Sequence, residues 1–237
     1  MSLRAEKAIL LFSGGQDSAT CLFYALENFA EVETIGFRYG QRHHIEMEVR
    51  QEFLSGFRKI FPEYAEKLKG DKIYDLPILS DIGETSLTRE TEIYMLECGL
   101  PSTFVPGRNI MFFTVAASHG WRKSISHIIG GMCQTDYSGY PDCRDNTLKS
   151  LQVSLSLGLD MPLILHTPLM WLSKAESWKI AYDIAGQKAV DFIIENTHSC
   201  YKGERSKRHI WGYGCGKCPA CVLRKQGFER YASLTLE

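Results

Sequence analysis

The sequence predicts an α/β fold: a doubly wound, mostly parallel five-stranded sheet with a small C-terminal zinc-binding appendage. Three observations lead there. Short apolar runs alternate with amphipathic helical stretches through most of the chain, the pattern of strands covered by helices on both faces. The first apolar run ends in a Ser-Gly-Gly turn that opens a helix, which is where open α/β sheets bind anions. Beyond Asn196 the texture turns polar and Gly-rich, and half of the 8 cysteines gather there.

Each element follows in order. Ala8-Ile-Leu-Leu-Phe12 is a buried-strand run bounded by Ser13-Gly14-Gly15. A helix from about Asp17 places Cys21, Leu22, Ala25, Leu26 and Phe29 on one face. Thr34 to Tyr39 is the second strand. The next helix carries Ile45, Val49, Phe53 and Phe57 at four-residue spacing and ends near Pro62. Lys72 to Asp75 is the third strand. Ser80 to Gly107 is polar and aperiodic, a long loop with a short helix. Asn109 to about Trp121 is helix, and His127 to Gly130 the fourth strand. Asp145 to about Leu157 is helix, Leu163 to His166 the fifth strand, and Lys174 to Ala185 helix. The expected division is an α/β domain over 1–195 and a metal-stapled segment over 196–237, too short to build its own core.

Composition excludes several classes. Of 237 residues, 44% are hydrophobic and 23% charged, which are globular values. A net charge of -1 argues against a general nucleic-acid binder, which needs a basic surplus. Neither a targeting segment nor an apolar run of membrane-spanning length is expected, so the expectation is a cytoplasmic protein whose cysteines are thiols or ligands rather than disulfides. Cys215-Gly-Lys-Cys218-Pro-Ala-Cys221, with Cys200 as a fourth thiol, has the spacing of a tetrahedral thiolate site. One structural zinc ion is the expected occupant, with an iron–sulfur cluster the alternative.

Ser13-Gly14-Gly15-Gln16-Asp17-Ser18 is built to hold phosphate. Two glycines let the backbone approach an anion, the serines add donors, and the helix N-terminus presents unpaired N–H groups. The P-loop ending and the dinucleotide pattern G-x-G-x-x-G are both missing. Asp17 points to Mg²⁺ between the acid and its phosphate.

The hexapeptide resembles the SGGxDS pyrophosphate loop (PP-loop) of the N-type ATP pyrophosphatases, which adenylate a carbonyl oxygen with ATP. Tyr39-Gly-Gln-Arg-His43, Val105-Pro-Gly-Arg-Asn109, Gly139-Tyr-Pro-Asp-Cys-Arg144, Thr167-Pro-Leu169 with Lys174, and Ser199-Cys200-Tyr201 with the terminal cysteines narrow this. Together they resemble the QueC family of queuosine biosynthesis, over about residues 8 to 230. That resemblance implies an adenine nucleotide alpha hydrolase-like fold and an ATP-dependent carbon–nitrogen ligase. The implied reaction takes 7-carboxy-7-deazaguanine and ammonia to 7-cyano-7-deazaguanine through adenylated carboxylate and amide intermediates. It also implies a homodimer with no nucleic-acid or membrane partner.

Residue roles follow from the resemblance. Ser13, Asp17, Ser18, Arg108 and Lys174 are the expected catalytic set. Phe12, Ser13, Gly14, Gly15, Gln16, Asp17, Ser18, Ala19, Thr20, Cys21 and Leu22 form the ATP segment. Arg38, Tyr39, Gln41, Asp136, Tyr137, Tyr140, Asp142 and Arg144 are expected to hold the deazapurine. There, rings stack on the base, an acid accepts its N–H groups and an arginine pairs its carboxylate. Cys143 is expected to be a passive thiol. Two rival readings are a tRNA thiolase with a catalytic or iron–sulfur cysteine set, and a non-catalytic nucleotide-binding module. The charge balance opposes the first, and the intact Asp17, Arg108 and Lys174 oppose the second.

Overall fold

Residues 3–41, 45–82, 85–89, 91–134 and 139–234 are described by the structure, a computed structural model. The chain opens with β1 (Lys7–Leu11), α1 (Gln16–Asn28), β2 (Glu31–Arg38), α2 (Ile45–Ile60), α3 (Pro62–Ala65), β3 (Leu68–Asp75) and α4 (Ile78–Ile82). It continues with α5 (Arg108–Lys123), β4 (His127–Ile129), α6 (Asp145–Gly158), β5 (Ile164–His166) and α7 (Lys174–Asn196). A two-stranded hairpin, β6 (Arg208–His209) with β7 (Gly212–Tyr213), precedes the last helix, α8 (Pro219–Leu234).

The large sheet has the order β3-β2-β1-β4-β5, and every pairing is parallel. Its order reverses at β1, so the carboxyl ends of β1 and β4 flank a crevice where the connections leave in opposite directions. The period-two geometry of a strand explains why the β1 run is apolar throughout. Ala8, Leu10 and Phe12 enter one core with the apolar faces of α1, α2 and α7, while Ile9 and Leu11 enter a second core with Ile35, Phe37 and Phe113 of α5. The four-residue spacing on α2 delivers Val49, Phe53 and Phe57 to the interior, and Phe53 meets Phe12 at 5.2 Å between ring centroids.

Three differences from the sequence reading have physical causes. The second and third strands begin earlier, at Glu31 and Leu68, because mutual pairing extends both into segments too polar to show as strands alone. The helix expected to stop at Ala185 breaks there instead, with Gly186 at φ +69, then resumes to Asn196 and buries Val190, Phe192 and Ile193. The tail holds a full helix, α8, whose Phe228 and Tyr231 rings pack on Trp178 of α7. The appendage therefore borrows the core of the main sheet. No helix among the described residues is long and apolar enough to cross a membrane.

Beneath the sheet's far side, His127 Nδ1 lies 2.9 Å from His166 Nε2, and Phe29 packs on both rings. Burial lowers His127, and burial plus the facing imidazole pushes His166 down to about 4. Both folded values lie below the ordinary 6.5, so the unfolded chain binds more protons as the medium acidifies. Stability contributed by this pair is whole above pH 6.5 and is lost as pH falls toward about 4. The urea midpoint should fall across that window, and His166→Phe should flatten the fall; an unchanged slope in the variant would place the acid sensitivity elsewhere.

Candidate functional site

The phosphate loop occupies the β1 side of the crevice. Gly14 sits at φ +87, a backbone state that side chains disfavour, and its Cα faces Arg50, whose Cα and Cβ would lie 3.1 Å from any added Cβ. The loop is held from both sides. Arg50, fully buried, donates from Nε to the Phe12 carbonyl at 2.8 Å and grips the Asp71 carboxylate with both terminal nitrogens. The His198 backbone N–H donates to the Gly14 carbonyl at 3.1 Å. Gly15 is the N-cap of α1 and supplies no side-chain cap, so the first N–H groups of α1 stay directed at the crevice. The Ser13 and Ser18 hydroxyls are 3.2 Å apart on the same rim.

Asp17 and Lys174 meet across the loop, the ammonium bonding both carboxylate oxygens at 2.9 and 2.8 Å. An acid in a phosphate cradle needs a counter-charge, and the sequence reading assigned that to Mg²⁺ alone; Lys174 supplies one from the protein itself. Two features place Lys174. It is the first residue of α7, which Ser173 and Glu176 start with a reciprocal capping box. Gly227 of α8 lies so near that an added Cβ would come within 2.6 Å of the Lys174 Cβ.

These groups open into a cavity of about 470 Å³. Its second wall is aromatic. Phe37 and Phe112 stack at 4.1 Å, and the Arg108 guanidinium lies 5.7, 5.9 and 5.8 Å from the ring centres of Tyr39, Phe112 and Tyr140. Arg108 Nη1 reaches the Tyr39 hydroxyl at 3.4 Å, while Nε has no hydrogen-bond partner among the described residues. Burial works against its charge, but Tyr39, Tyr140, Cys143 and Asp142 outweigh burial and hold it protonated above the ordinary arginine range. Glu46, at the start of α2, also lines the cavity; burial pushes its carboxyl up to about 7 despite the pull of Arg108.

The structure gathers part of the expected set and disperses the rest. Phe12, Ser13, Gly15, Gln16, Asp17, Ser18, Tyr39, Gln41, Arg108, Tyr140, Cys143 and Lys174 line the cavity. Ala19, Cys21 and Leu22 turn into the core instead, and the Thr20 hydroxyl bonds the Ser177 carbonyl. Arg38 is exposed, paired with Asp75 at 2.7 Å and outside the cavity lining. Asp142 is buried and outside the lining; its Oδ2 accepts the Asn109 backbone N–H of α5 at 2.9 Å, and its Oδ1 has no partner among the described residues. Arg144 is exposed and outside the lining. Asp136 and Tyr137 lie outside the described residues. Cys143 accepts from the Asn109 amide at 3.2 Å. Sequence reasoning missed Arg50, Glu46, His198, Tyr201 and Arg224. Two had a signal: Tyr201 lies in the Ser199-Cys200-Tyr201 motif, and Arg224 with Cys221, Phe228 and Tyr231 marks a helix face.

Behind the loop, the sulfurs of Cys200, Cys215, Cys218 and Cys221 all lie within 4.8 Å of one another and could hold one metal ion. Hydrogen bonds from Cys218 and Cys221 favour the thiolate on Cys200, and the same bonds raise Cys218 and Cys221. A dication would replace those protons. Arg224, buried by α8, ties this cluster to the loop: it bonds the Trp211 carbonyl at 2.8 Å and the Ser199 hydroxyl at 3.2 Å.

Comparison with known proteins places this site in context. The family model described as "Queuosine biosynthesis protein QueC" matches residues 7–232. A 7-cyano-7-deazaguanine synthase from Paraburkholderia phymatum is 54% identical over 228 residues, covering 96% of this chain and 94% of that protein. Another, from Bradyrhizobium sp. (strain BTAi1), is 58% identical over 224 residues, covering 94% of each. Among solved structures, the U34-tRNA thiolase NcsA from Methanococcus maripaludis matches with a TM-score of 0.48 and 14% identity, over 98% of this chain and 69% of that one.

Because His198, Ser199 and Cys200 are consecutive, the metal cluster and the Gly14 hold should fail together. Cys218→Ser should lose bound metal, measured by elemental mass spectrometry, lower the melting temperature and weaken ATP binding. Full metal content and unchanged ATP affinity would break this link.

Proposed function

The chain belongs to the QueC family of queuosine biosynthesis proteins, and from that premise we propose that it is an ATP-dependent ligase converting 7-carboxy-7-deazaguanine and ammonia to 7-cyano-7-deazaguanine. The observation that carries the reading is the phosphate loop with its Asp17–Lys174 pair, opening at the sheet's switch point onto an aromatic-walled cavity. A carboxylate resists attack because its leaving group would be oxide. Adenylation turns that oxygen into part of AMP, ammonia displaces AMP to give an amide, and a second activation of the amide oxygen lets it leave to form the nitrile.

The protein's part is positioning and charge stabilisation. The α1 N-terminus with Ser13 and Ser18 binds the departing pyrophosphate. Lys174 balances charge developing on the α-phosphate, and Arg108, cradled by rings, holds an anionic group of the substrates. Tyr39, Phe112 and Tyr140 provide faces for a planar base. Asp17, partly exposed beside the loop, could supply one of the one or two protein carboxylates Mg²⁺ takes, if Lys174 turns from it to the phosphates, and when bound the ion would screen the phosphate oxygens.

The four-cysteine site fits zinc. Zn–S bonds of about 2.3 Å in a tetrahedron set sulfurs about 3.8 Å apart, and the Cys215–Cys221 and Cys218–Cys200 sulfur pairs stand at 3.9 and 4.0 Å. Four thiolates fill the shell, so zinc here is structural. The assembly we propose is a homodimer in the cytoplasm. Val153, Leu157 and Ile164, exposed on α6 and the edge strand β5, are apolar surface such a dimer would cover; sedimentation should give twice the chain mass, and a monomer at micromolar concentration would oppose it.

The activity is tested by mass spectrometry of products from the carboxy-deazaguanine, ATP and ammonium. AMP and the nitrile are expected; AMP formation that ignores the base would overturn the reading. Asp17→Asn should lower kcat at least about 100-fold, the scale of removing one preorganised charge contact. Unchanged turnover would remove Asp17 from the mechanism.

A further inference from the structure

We propose that Glu46 determines which base is accepted, its carboxylate taking hydrogen bonds from the ring N–H and exocyclic amine of the deazapurine. This rests on the activity proposed above. Two acids line the cavity among the described residues, Asp17 and Glu46. Both oxygens of Asp17 are engaged by Lys174. Glu46 makes no hydrogen bond or ion pair among the described residues, and it lines the cavity half-buried, where partial burial disfavours its charge. Leaving a carboxylate so placed is costly unless a ligand satisfies it. The same cavity is walled by Met47, Phe112, Tyr140 and Tyr201, which offer flat apolar surface.

The donor pattern identifies the ligand edge. Two parallel N–H groups match two carboxylate oxygens, as in other bidentate pairs. A 2-amino-pyrimidinone ring presents them side by side. Arg108 supplies the complementary half. It feels the charge of Glu46 yet forms no ion pair with it, being held by the faces of Tyr39, Phe112 and Tyr140. Cation and acid are thus both left for a ligand with a carboxylate at one end and N–H donors at the other. Glu46 feels Arg108 and Cys200, and Tyr39 feels Glu46, whereas Asp17 and Lys174 pair with each other at the phosphate loop.

The test compares wild type, Glu46→Gln and Glu46→Ala with saturating co-substrates, using 7-carboxy-7-deazaguanine and its analogue lacking the exocyclic amine. Both variants should raise KM for the carboxy-deazaguanine by about 10- to 100-fold, the scale of losing charged hydrogen bonds. KM for ATP and for ammonium should stay within about twofold. Discrimination against the analogue should shrink by a similar factor, since rejection arises from the unpaired acid. If turnover is too slow, calorimetric binding of the two bases to the same variants reads the same quantities. A change confined to the ATP or ammonium KM, or discrimination retained in both variants, overturns the assignment. Wild type that fails to convert the carboxy-deazaguanine overturns the activity as well, whereas normal wild-type turnover with unaffected variants removes Glu46 alone.

Discussion

The hold on the backbone between Phe12 and Gly15 is the constraint on which the site depends. A phosphate loop works only if its N–H groups point outward, and that requires its carbonyls to be satisfied from behind. Arg50 takes the Phe12 carbonyl, and His198 takes that of Gly14. Neither partner comes from the loop or its own helix. One belongs to α2 and is anchored to β3 through Asp71; the other begins the metal-binding segment. The loop is therefore a junction of three parts of the chain, and its shape is a tertiary property.

Charge at the site follows a similar logic. The protein as a whole is nearly neutral, at -1, yet Lys174, Arg108 and Arg224 all face one cavity. Each is restrained differently: Lys174 by Asp17, the capping box and the close pass of α8 at Gly227; Arg108 by ring faces; Arg224 by main-chain carbonyls. Asp17 balances Lys174, whereas Arg108 and Arg224 form no ion pair with an acid among the described residues, so the field there favours an anionic ligand.

Sequence reading reached the sheet because β1, α1 and α2 carry their periodicity openly, and it reached the phosphate loop and the four cysteines because both are contiguous or nearly so. It failed where partners are distant in sequence. Arg50 lies beside Val49 on an ordinary amphipathic helix, and nothing local says that its side chain reaches β3 and β1. Arg38 and Arg144 look like ligands of a carboxylate, but one has its own partner across the strand edge, and both face solvent. Asp142 is held by a contact that its sequence neighbours do not announce: one oxygen accepts an N–H from the first turn of α5. Glu46 sits in a first helical turn, where acids are ordinary, so only its place on the cavity wall near Tyr39 and Arg108 gives it meaning.

The appendage is where these arguments converge. Its residues cannot form a core alone, and the four thiols would be an unlikely cluster without a cation to share. Yet the segment leaving α7 runs His198-Ser199-Cys200-Tyr201: a main-chain donor to the loop, a partner for Arg224, a metal ligand and a cavity wall in succession. A metal ion held at Cys200 would brace the loop contact and a cavity wall through one stretch of backbone. Only two residues separate the Cys200 ligand from the His198 N–H that holds the Gly14 carbonyl, so an ion bound there would act on the shape of the phosphate loop without touching a substrate.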